Sequence, residues 1–408
     1  MATAVVLFTR DLRVHDHPAL SEAAAGADAV VGLFVFDDTI LASAFAAPNR
    51  VAFMLDCLRD LRGSLEQRGS ALAIRRGDVV EEAIAFARHC RADRLLVSGD
   101  VSAFAHRREA RLAQACDEAG IDLRVMPGVT VVDPGELAPG GSDHYRVFTP
   151  YWRRWRAARW RPMHRAPRRL ATASRLKPGR LPSLEALIDG RPAAGLPQGG
   201  ETAARALAER WLRSGLRRYG EQLGDDATSR LSPYLHFGCI SPLELARRAG
   251  DRSGAEEFVR QLCWRDFFHQ LLAANPGLAH HDLRPRRAAW SGDDQALADW
   301  KEGATGVPIV DAGMRQLLRE GWMPNRARLI AASFLVHDLG VDWRLGARHF
   351  FDHLVDGDLA NNAGNWQWVA GTAANPRPNR VLSPDAQARR FDPGGAYVRR
   401  HLPELRRA

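Results

Sequence analysis

The sequence predicts two units in series, a doubly wound α/β domain followed by a mostly α-helical one. Three observations carry this. Short apolar runs at 5–8, 29–36, 71–74, 94–97 and 123–125 alternate with helical patterns across residues 1–132. From 201 onward apolar residues recur at helical spacing and no alternating strand pattern returns. A chain of 408 residues is also longer than one ordinary core encloses.

In the first unit, strand–helix alternation reads as a parallel sheet. One helix starts near Pro18, a favoured first helical position. Another runs from about 50 to 68, with Leu55, Leu58, Leu61 and Leu65 on the helical repeat and Gly69 as its stop. There is no GxGxxG and no Walker loop, which argues against a dinucleotide or nucleoside-triphosphate site of the usual sort. Residues 133–200 are dense in proline and glycine and read as a linker. Within them YWRRWRAARWRPMHRAPRR (151–169) is basic and tryptophan-rich. It fits a nucleic-acid stacking strip. The favoured reading is plainer: a connection with solvated arginines, pinned to a domain by its tryptophans. Residues 201–408, beginning ETAARALAERWLRSGLRRY, form the helical unit.

Net charge is +9 and pI about 9.9, which suits a polyanionic partner through phosphate contacts and counterion release. A compositional bias gives the same number. No apolar run approaches the roughly 18 residues of a membrane span. The start MATAVVLFTRDLR reads as a buried strand and not a signal peptide, so the cytoplasm is expected. Cys57, Cys90, Cys116, Cys239 and Cys263 are widely spaced without a CxxC. They indicate neither a disulfide framework nor a zinc site and are expected to be reduced and mostly buried.

The densest chemistry lies at 353–370, HLVDGDLANNAGNWQWVA. Asp358 and Asn362 are four apart and share a helical face, whereas Trp366 and Trp368 cannot, so they meet different neighbours. DGDL resembles the start of a calcium loop, but Ala360, Asn361 and Gln367 stand where its ligands and glycine belong. A polar helix start with core aromatics is the alternative. Upstream, Thr228, Ser229 and Ser232 bring hydroxyls to a helix start at Pro233, either an anion site or N-capping by Ser232. Gln261, Trp264 and Arg265 fall within one helical turn, as a cavity wall or an amphipathic helix. Asn325, Arg328 and Leu329 share a face after Pro324.

Taken together, TSRLSPYLHFG (228–238), QLCWRDFF (261–268), GVPIVDAGMRQLLREGWMPNRARL (306–329), DW (342–343) and DGDLANNAGNWQW (356–368) closely resemble the flavin-binding domain of the photolyase/cryptochrome family. TRDLR (9–13) and RRFDPGGAYVRRHLPEL (389–405) extend the resemblance over nearly the whole chain. It is closest to class I cyclobutane pyrimidine dimer photolyases. The resemblance implies an antenna-type α/β domain at 1–132, a linker at 133–200 and an FAD- and DNA-binding domain at 201–408. It implies FAD held by Tyr219, Thr228, Ser229, Arg230, Leu231 and Ser232, then by Gln261, Trp264, Arg265, Asn325, Arg328, Asp356, Gly357, Asp358 and Asn362. Arg328 would pair with Asp356, Asp358 would face the polar edge of the isoalloxazine, and Asn362 would face its central nitrogen. UV-damaged DNA would be the partner, met by Gln261, Trp264, Arg265, Asn325, Arg326, Trp368 and Gln387, with the two tryptophans at the lesion. Trp290, Trp343 and Trp366 match the family's electron-transfer chain. An antenna pigment would sit near Arg10, Asp37 and Asp100. Ala105 replaces the glutamate of folate-binding relatives, which favours a deazaflavin over methenyltetrahydrofolate. No metal and no membrane are implied.

Two positions depart from the pattern. Dimer-repair relatives carry glutamate where Gln261 stands; (6-4) photolyases and animal cryptochromes carry glutamine. (6-4) photolyases have histidine where Asn325 stands, so the two positions point opposite ways, and Asn325 is given more weight. Asn362 argues for repair, since plant-type cryptochromes place aspartate there and animal ones cysteine. The expectation is dimer repair, with a cryptochrome photoreceptor or a (6-4) photolyase as alternatives.

Overall fold

A computed structural model describes residues 2–171, 178–221, 223–224, 227–285, 290, 292–374 and 381–406. Five strands, β1 (Thr3–Leu7), β2 (Ala29–Asp37), β3 (Leu72–Gly77), β4 (Arg94–Ser98) and β5 (Asp122–Met126), fall on the five apolar runs. They form one parallel sheet in the order β3-β2-β1-β4-β5. Around it run α1 (Pro18–Gly26), α2 (Asp38–Leu41), α3 (Pro48–Glu66), α4 (Val79–Cys90) and α5 (Ala103–Ala119). Every residue of β1 and β2 is buried, as a strand covered on both faces requires. The strand order reverses between β1 and β4, so the crevice beyond their C-terminal ends is where a doubly wound sheet offers a binding site.

After α6 (Phe148–Ala157), the helical unit comprises α7 (Glu201–Arg210), α8 (Ser232–His236), α9 (Pro242–Ala249), α10 (Ala255–Ala274), α11 (Asp294–Glu302) and α12 (Pro308–Glu320). It continues with α13 (Asn325–Ser333), α14 (Trp343–His353), α15 (Leu359–Ala370), α16 (Pro384–Phe391) and α17 (Ala396–His401). No helix among the described residues is long and apolar enough to cross a membrane. The long helix read from ETAARALAERWLRSGLRRY does not run through. It widens to a π turn at Trp211–Gly215 and tightens to a 3-10 turn at Leu216–Arg218. Gly215 lies under the Trp211 ring, and a Cβ on it would stand 2.1 Å from Trp211 Cε3. Likewise α3 ends at Glu66, and Gly69, at φ +88°, shapes the turn beyond it.

Three joints tie the units together. Arg13 is 1% exposed. It donates to the carbonyls of His15, Asp16, Gly128 and Gly238, so one side chain gathers the N-terminal loop, the loop after β5 and the turn after α8. Asn49 and Arg50 of α3 donate to the carbonyls of His353, Phe351 and Leu354, capping the C-terminal end of α14 just before the 356–358 turn. On α10, the buried carboxylate of Asp266 accepts from Val131 N, Val132 N and Trp155 Nε1. Trp152 and Trp155 are buried, as the plainer reading of 151–169 expects. All five cysteines are buried, and the Cys57 and Cys239 sulfurs lie 3.2 Å apart across the two units.

Candidate active-site cavity

The helical unit encloses a cavity of about 530 Å³. Of the residues singled out above, Tyr219, Thr228, Ser229, Arg230, Ser232, Gln261, Trp264, Arg265, Asn325, Arg326, Arg328, Asp356, Asp358, Trp368 and Gln387 line it. They come from five stretches separated in sequence, brought together by α8, α10, α13, α15 and α16. Gln261, Trp264 and Arg265 face it from one turn of α10, and Asn325, Arg328 and Leu329 from one face of α13.

Ser232 does not cap α8. It is the first helical residue, and its hydroxyl accepts from Trp322 Nε1 at 3.0 Å. Ser229 supplies the local bond instead, accepting from Leu231 N at 3.4 Å. Arg230 has φ +52° and lies 4.4 Å from the Trp322 ring centroid, with its guanidinium on Glu320. Leu231 is 1% exposed and belongs to the core beneath the cavity rather than to its wall.

Arg328 Nη2 donates to Asp356 Oδ2 at 2.8 Å, the ion pair that the resemblance implied, and its Nε donates to Met323 O. Gly357 lines two neighbouring cavities instead, and a Cβ on it would stand 2.6 Å from Arg50 Nη1. Asp358 has more to do than face a ligand. It caps α15 through Asn361 N, and its other oxygen accepts from Arg10 Nη2 at 2.6 Å. His269 Nε2 and His236 Nδ1 lie 3.6 and 3.9 Å from that oxygen. Burial opposes ionisation of Asp358, but His269 and Arg10 outweigh it and hold the carboxyl well below its usual range. Burial, then Arg265, pushes His269 down to about 4.

Asn362 does not reach the main cavity. Its Nδ2 donates to Ala347 O at 2.9 Å, and it lines a side cavity of about 50 Å³ that shares Asn325, Arg328 and Asp356 with the main one. Asn361 and Asn365 take the main-cavity face. Their spacing from Asp358 to Trp368, three and seven residues on, was a readable signal for it. Trp366 and Trp368 do part ways. Trp366 is buried 4.9 Å from Phe350 and 6.2 Å from Trp300, while Trp368 lines the cavity. Trp343 is fully buried and donates to Asp282 at 2.9 Å. Trp290, Trp343 and Trp366 all pack into one core cluster.

A second cavity of about 380 Å³ opens beyond the C-terminal ends of β1 and β2. Arg10, Asp37 and Asp100 line it, with Phe34, Phe36, Phe104, Ala105 and Phe237. Arg10 pairs with Asp100 at 3.2 Å and with Asp358 at 2.6 Å, and His236 lines both cavities. Asp37 also caps α2 through Thr39 N and Ile40 N. Composition and spacing gave no sign of this ionic partition between the cavities, since Arg10 is 90 residues from Asp100 and 348 from Asp358.

A parallel-sheet domain clasped to a helical domain with a polar, arginine-rich cavity defines a two-domain protein with a site for a large, negatively charged ligand. Residues 4–169 match the family model of DNA photolyase, and residues 258–408 that of the FAD binding domain of DNA photolyase. The chain is 49% identical over 412 residues to the deoxyribodipyrimidine photo-lyase of Streptomyces griseus, covering 99% of this chain and 90% of that one. A bacterial class III photolyase from Agrobacterium tumefaciens superposes with a TM-score of 0.91 at 30% identity, covering 100% of this chain and 87% of that one. An archaeal photolyase from Sulfolobus tokodaii, described with two FAD molecules, gives 0.85 at 30% identity, with coverage of 99% and 91%. The chain belongs to the DNA photolyase family, and its residues 258–408 match that family's FAD-binding domain.

The wall fits FAD. Hydroxyls of Thr228, Ser229 and Ser232 and the cations Arg230 and Arg265 suit a diphosphate. Two buried acceptors in the wall, Asp356 Oδ1 and Gln387 Oε1, have no hydrogen-bond partner among the described residues, so donors of a bound group suit them.

Proposed function

We propose that the chain is a light-driven DNA repair enzyme that splits cyclobutane pyrimidine dimers. The observation that carries this is the shared wall: Trp264 of α10 and Trp368 of α15 line one cavity with Gln261 and Asn325. A damaged pair turned out of the duplex finds two indoles to stack on and two amides to hydrogen-bond. Photolyases, like glycosylases, turn their target out of the stack at a cost of about a few kcal/mol, less where damage has weakened stacking. Arg326 and Arg390 line the same cavity and suit phosphates. FAD, when bound, supplies the light-driven one-electron chemistry. Arg328, paired to Asp356, keeps a compensated cation beside the ring site. Gln261 and Asn325 orient carbonyls by donating from their amides, and neither passes on a proton. Trp366, Trp343 and Trp290 serve as the relay that brings an electron inward.

The three-part reading, 1–132, 133–200 and 201–408, belongs to this proposal, with the first part carrying the antenna. The apolar second cavity, with Arg10, Asp37 and Asp100 at its polar end, suits a flat tricyclic pigment of the deazaflavin type better than a folate. Pigment extracted from the purified protein and identified by mass tests this; a folate overturns it.

The deciding experiment illuminates photoreduced protein with an oligonucleotide carrying one cyclobutane thymine dimer, beside a dark control and a (6-4) substrate. Light-dependent loss of the dimer alone is expected. Repair of the (6-4) lesion alone would make Gln261 the informative residue. Repair of neither, with the flavin spectrum intact, moves the chain to a photoreceptor.

A further inference from the structure

Phe148 covers one face of the Trp264 indole, with ring centroids 3.6 Å apart and planes 5° apart. Trp264 lines the cavity, whereas Phe148 lies behind it and is 6% exposed. The guanidinium of Arg260 sits 5.6 Å from the Phe148 ring centroid. Phe267 meets both rings edge-on, at 5.7 and 5.5 Å. The indole is therefore stacked on by Phe148 and flanked by Phe267 and, at 5.5 Å and 31°, by Phe268, and what it leaves uncovered lies in the cavity wall.

Phe148 does not belong to the helix that carries Trp264. It opens α6, in the segment read from sequence as a linker. That segment is fixed to α10 on both sides of Phe148. Before it, Tyr145 N donates to Gln270 Oε1 at 2.9 Å, and Gln270 Nε2 donates to Tyr145 O at 2.6 Å. After it, Tyr151 packs 5.5 Å from Phe267, and Trp155 Nε1 donates to Asp266 at 2.9 Å. A stacking ring held before its ligand arrives loses less side-chain freedom on binding.

We propose that Phe148 is a positioning residue of the substrate pocket: the linker helix backs Trp264 and sets the plane on which a flipped-out base stacks. This rests on reading the cavity as the lesion pocket. An aromatic stack carries a factor of roughly 2 to 12 in an equilibrium constant.

The test measures binding of FAD-loaded protein to a single-dimer oligonucleotide and to its undamaged counterpart. Phe148→Ala and Phe148→Leu are expected to weaken dimer binding about three- to tenfold, with undamaged DNA and flavin absorbance unchanged. Phe148→Tyr restores the affinity. In a Trp264→Ala background, Phe148→Ala adds no further loss, because the ring it positions is gone. Wild-type discrimination in both truncated variants overturns the inference, as does equal weakening on both DNAs or a loss that adds to that of Trp264→Ala. Should Phe148→Ala shed its flavin, the Leu and Tyr variants carry the comparison. A wild type without preference for the dimer overturns the lesion-pocket reading itself, and this inference with it.

Discussion

Gln261 separates two kinds of recognition at one position. An amide donates a hydrogen bond at any ordinary pH, whereas a carboxyl donates only while protonated. Glutamate has a reference pKa of about 4.3, and partial burial in this wall raises it. Gln261→Glu should therefore introduce a pH step that the wild type lacks, with dimer affinity falling about tenfold as the carboxyl ionises. Binding titrations between roughly pH 5 and 8 read this directly, and a flat profile in the variant would remove Gln261 from the lesion. Arg328 makes a second case. Asp356 has a side chain only 3% exposed, and Arg328 is 2.8 Å away. Arg328→Ala leaves that carboxylate without its cation, a change that costs about 3–5 kcal/mol when a buried pair is broken. Thermal unfolding should drop accordingly, and FAD should be lost on desalting. Adding Asp356→Asn should recover part of the stability, which a purely steric effect would not.

Joints between elements decide how the cavity is held. Arg13 satisfies its donors on four backbone carbonyls from three segments, one of them Gly238, two residues beyond α8. Arg13→Met keeps the stem but abandons those carbonyls in a buried place, at about 1–3 kcal/mol for each one left unpaired. A fall of several kcal/mol in unfolding free energy, read from urea titration, is expected, with flavin released in the same transition. Separate transitions for flavin release and unfolding would show that the joint does not couple the units. This joint also marks the limit of what the sequence discloses. The strands were legible because burial on both faces leaves short apolar runs, and α10 and α13 because cavity-facing residues repeat at helical spacing. The break in α7 was not, because a helical period cannot show that Gly215 must make room for the Trp211 ring. The acceptor of the Asn362 amide, Ala347 O on α14, is equally invisible to local spacing. The Arg10–Asp358 pair and the Phe148–Trp264 stack join residues far apart in the chain, and period and propensity carry no such information.

Across the molecule, buried histidines set the response to acid. His164, His236, His269, His349 and His353 are all pushed below the ordinary imidazole value, with burial the leading cause in each. His269 falls to about 4 and His349 to about 3. A base whose folded pKa is depressed binds its proton in the unfolded chain first. Stability is then highest above about pH 6.5 and is lost as pH falls through the window between the unfolded and folded values. For either histidine, going from pH 7 to pH 5 costs about 2 kcal/mol. Asp266 acts the other way. Burial raises it to about 6, so it takes up a proton on folding and returns about 1 kcal/mol over the same interval. The depressed carboxylates, such as Asp358 and Asp100, keep their stabilising effect over this interval and begin to lose it only below about pH 4. Net destabilisation of about 3 kcal/mol is therefore expected at pH 5 from these groups. His349 offers the cleanest check, since its Nε2 has no hydrogen-bond partner among the described residues and its ring lies 5.6 Å from Trp300. His349→Phe should leave stability near pH 7 little changed and remove about 2 kcal/mol of the acid-induced loss. Urea midpoints of both proteins at the two pH values give the difference. An equal drop in the two would mean that His349 charges as readily in the folded protein as in the unfolded chain, and that acid acts elsewhere.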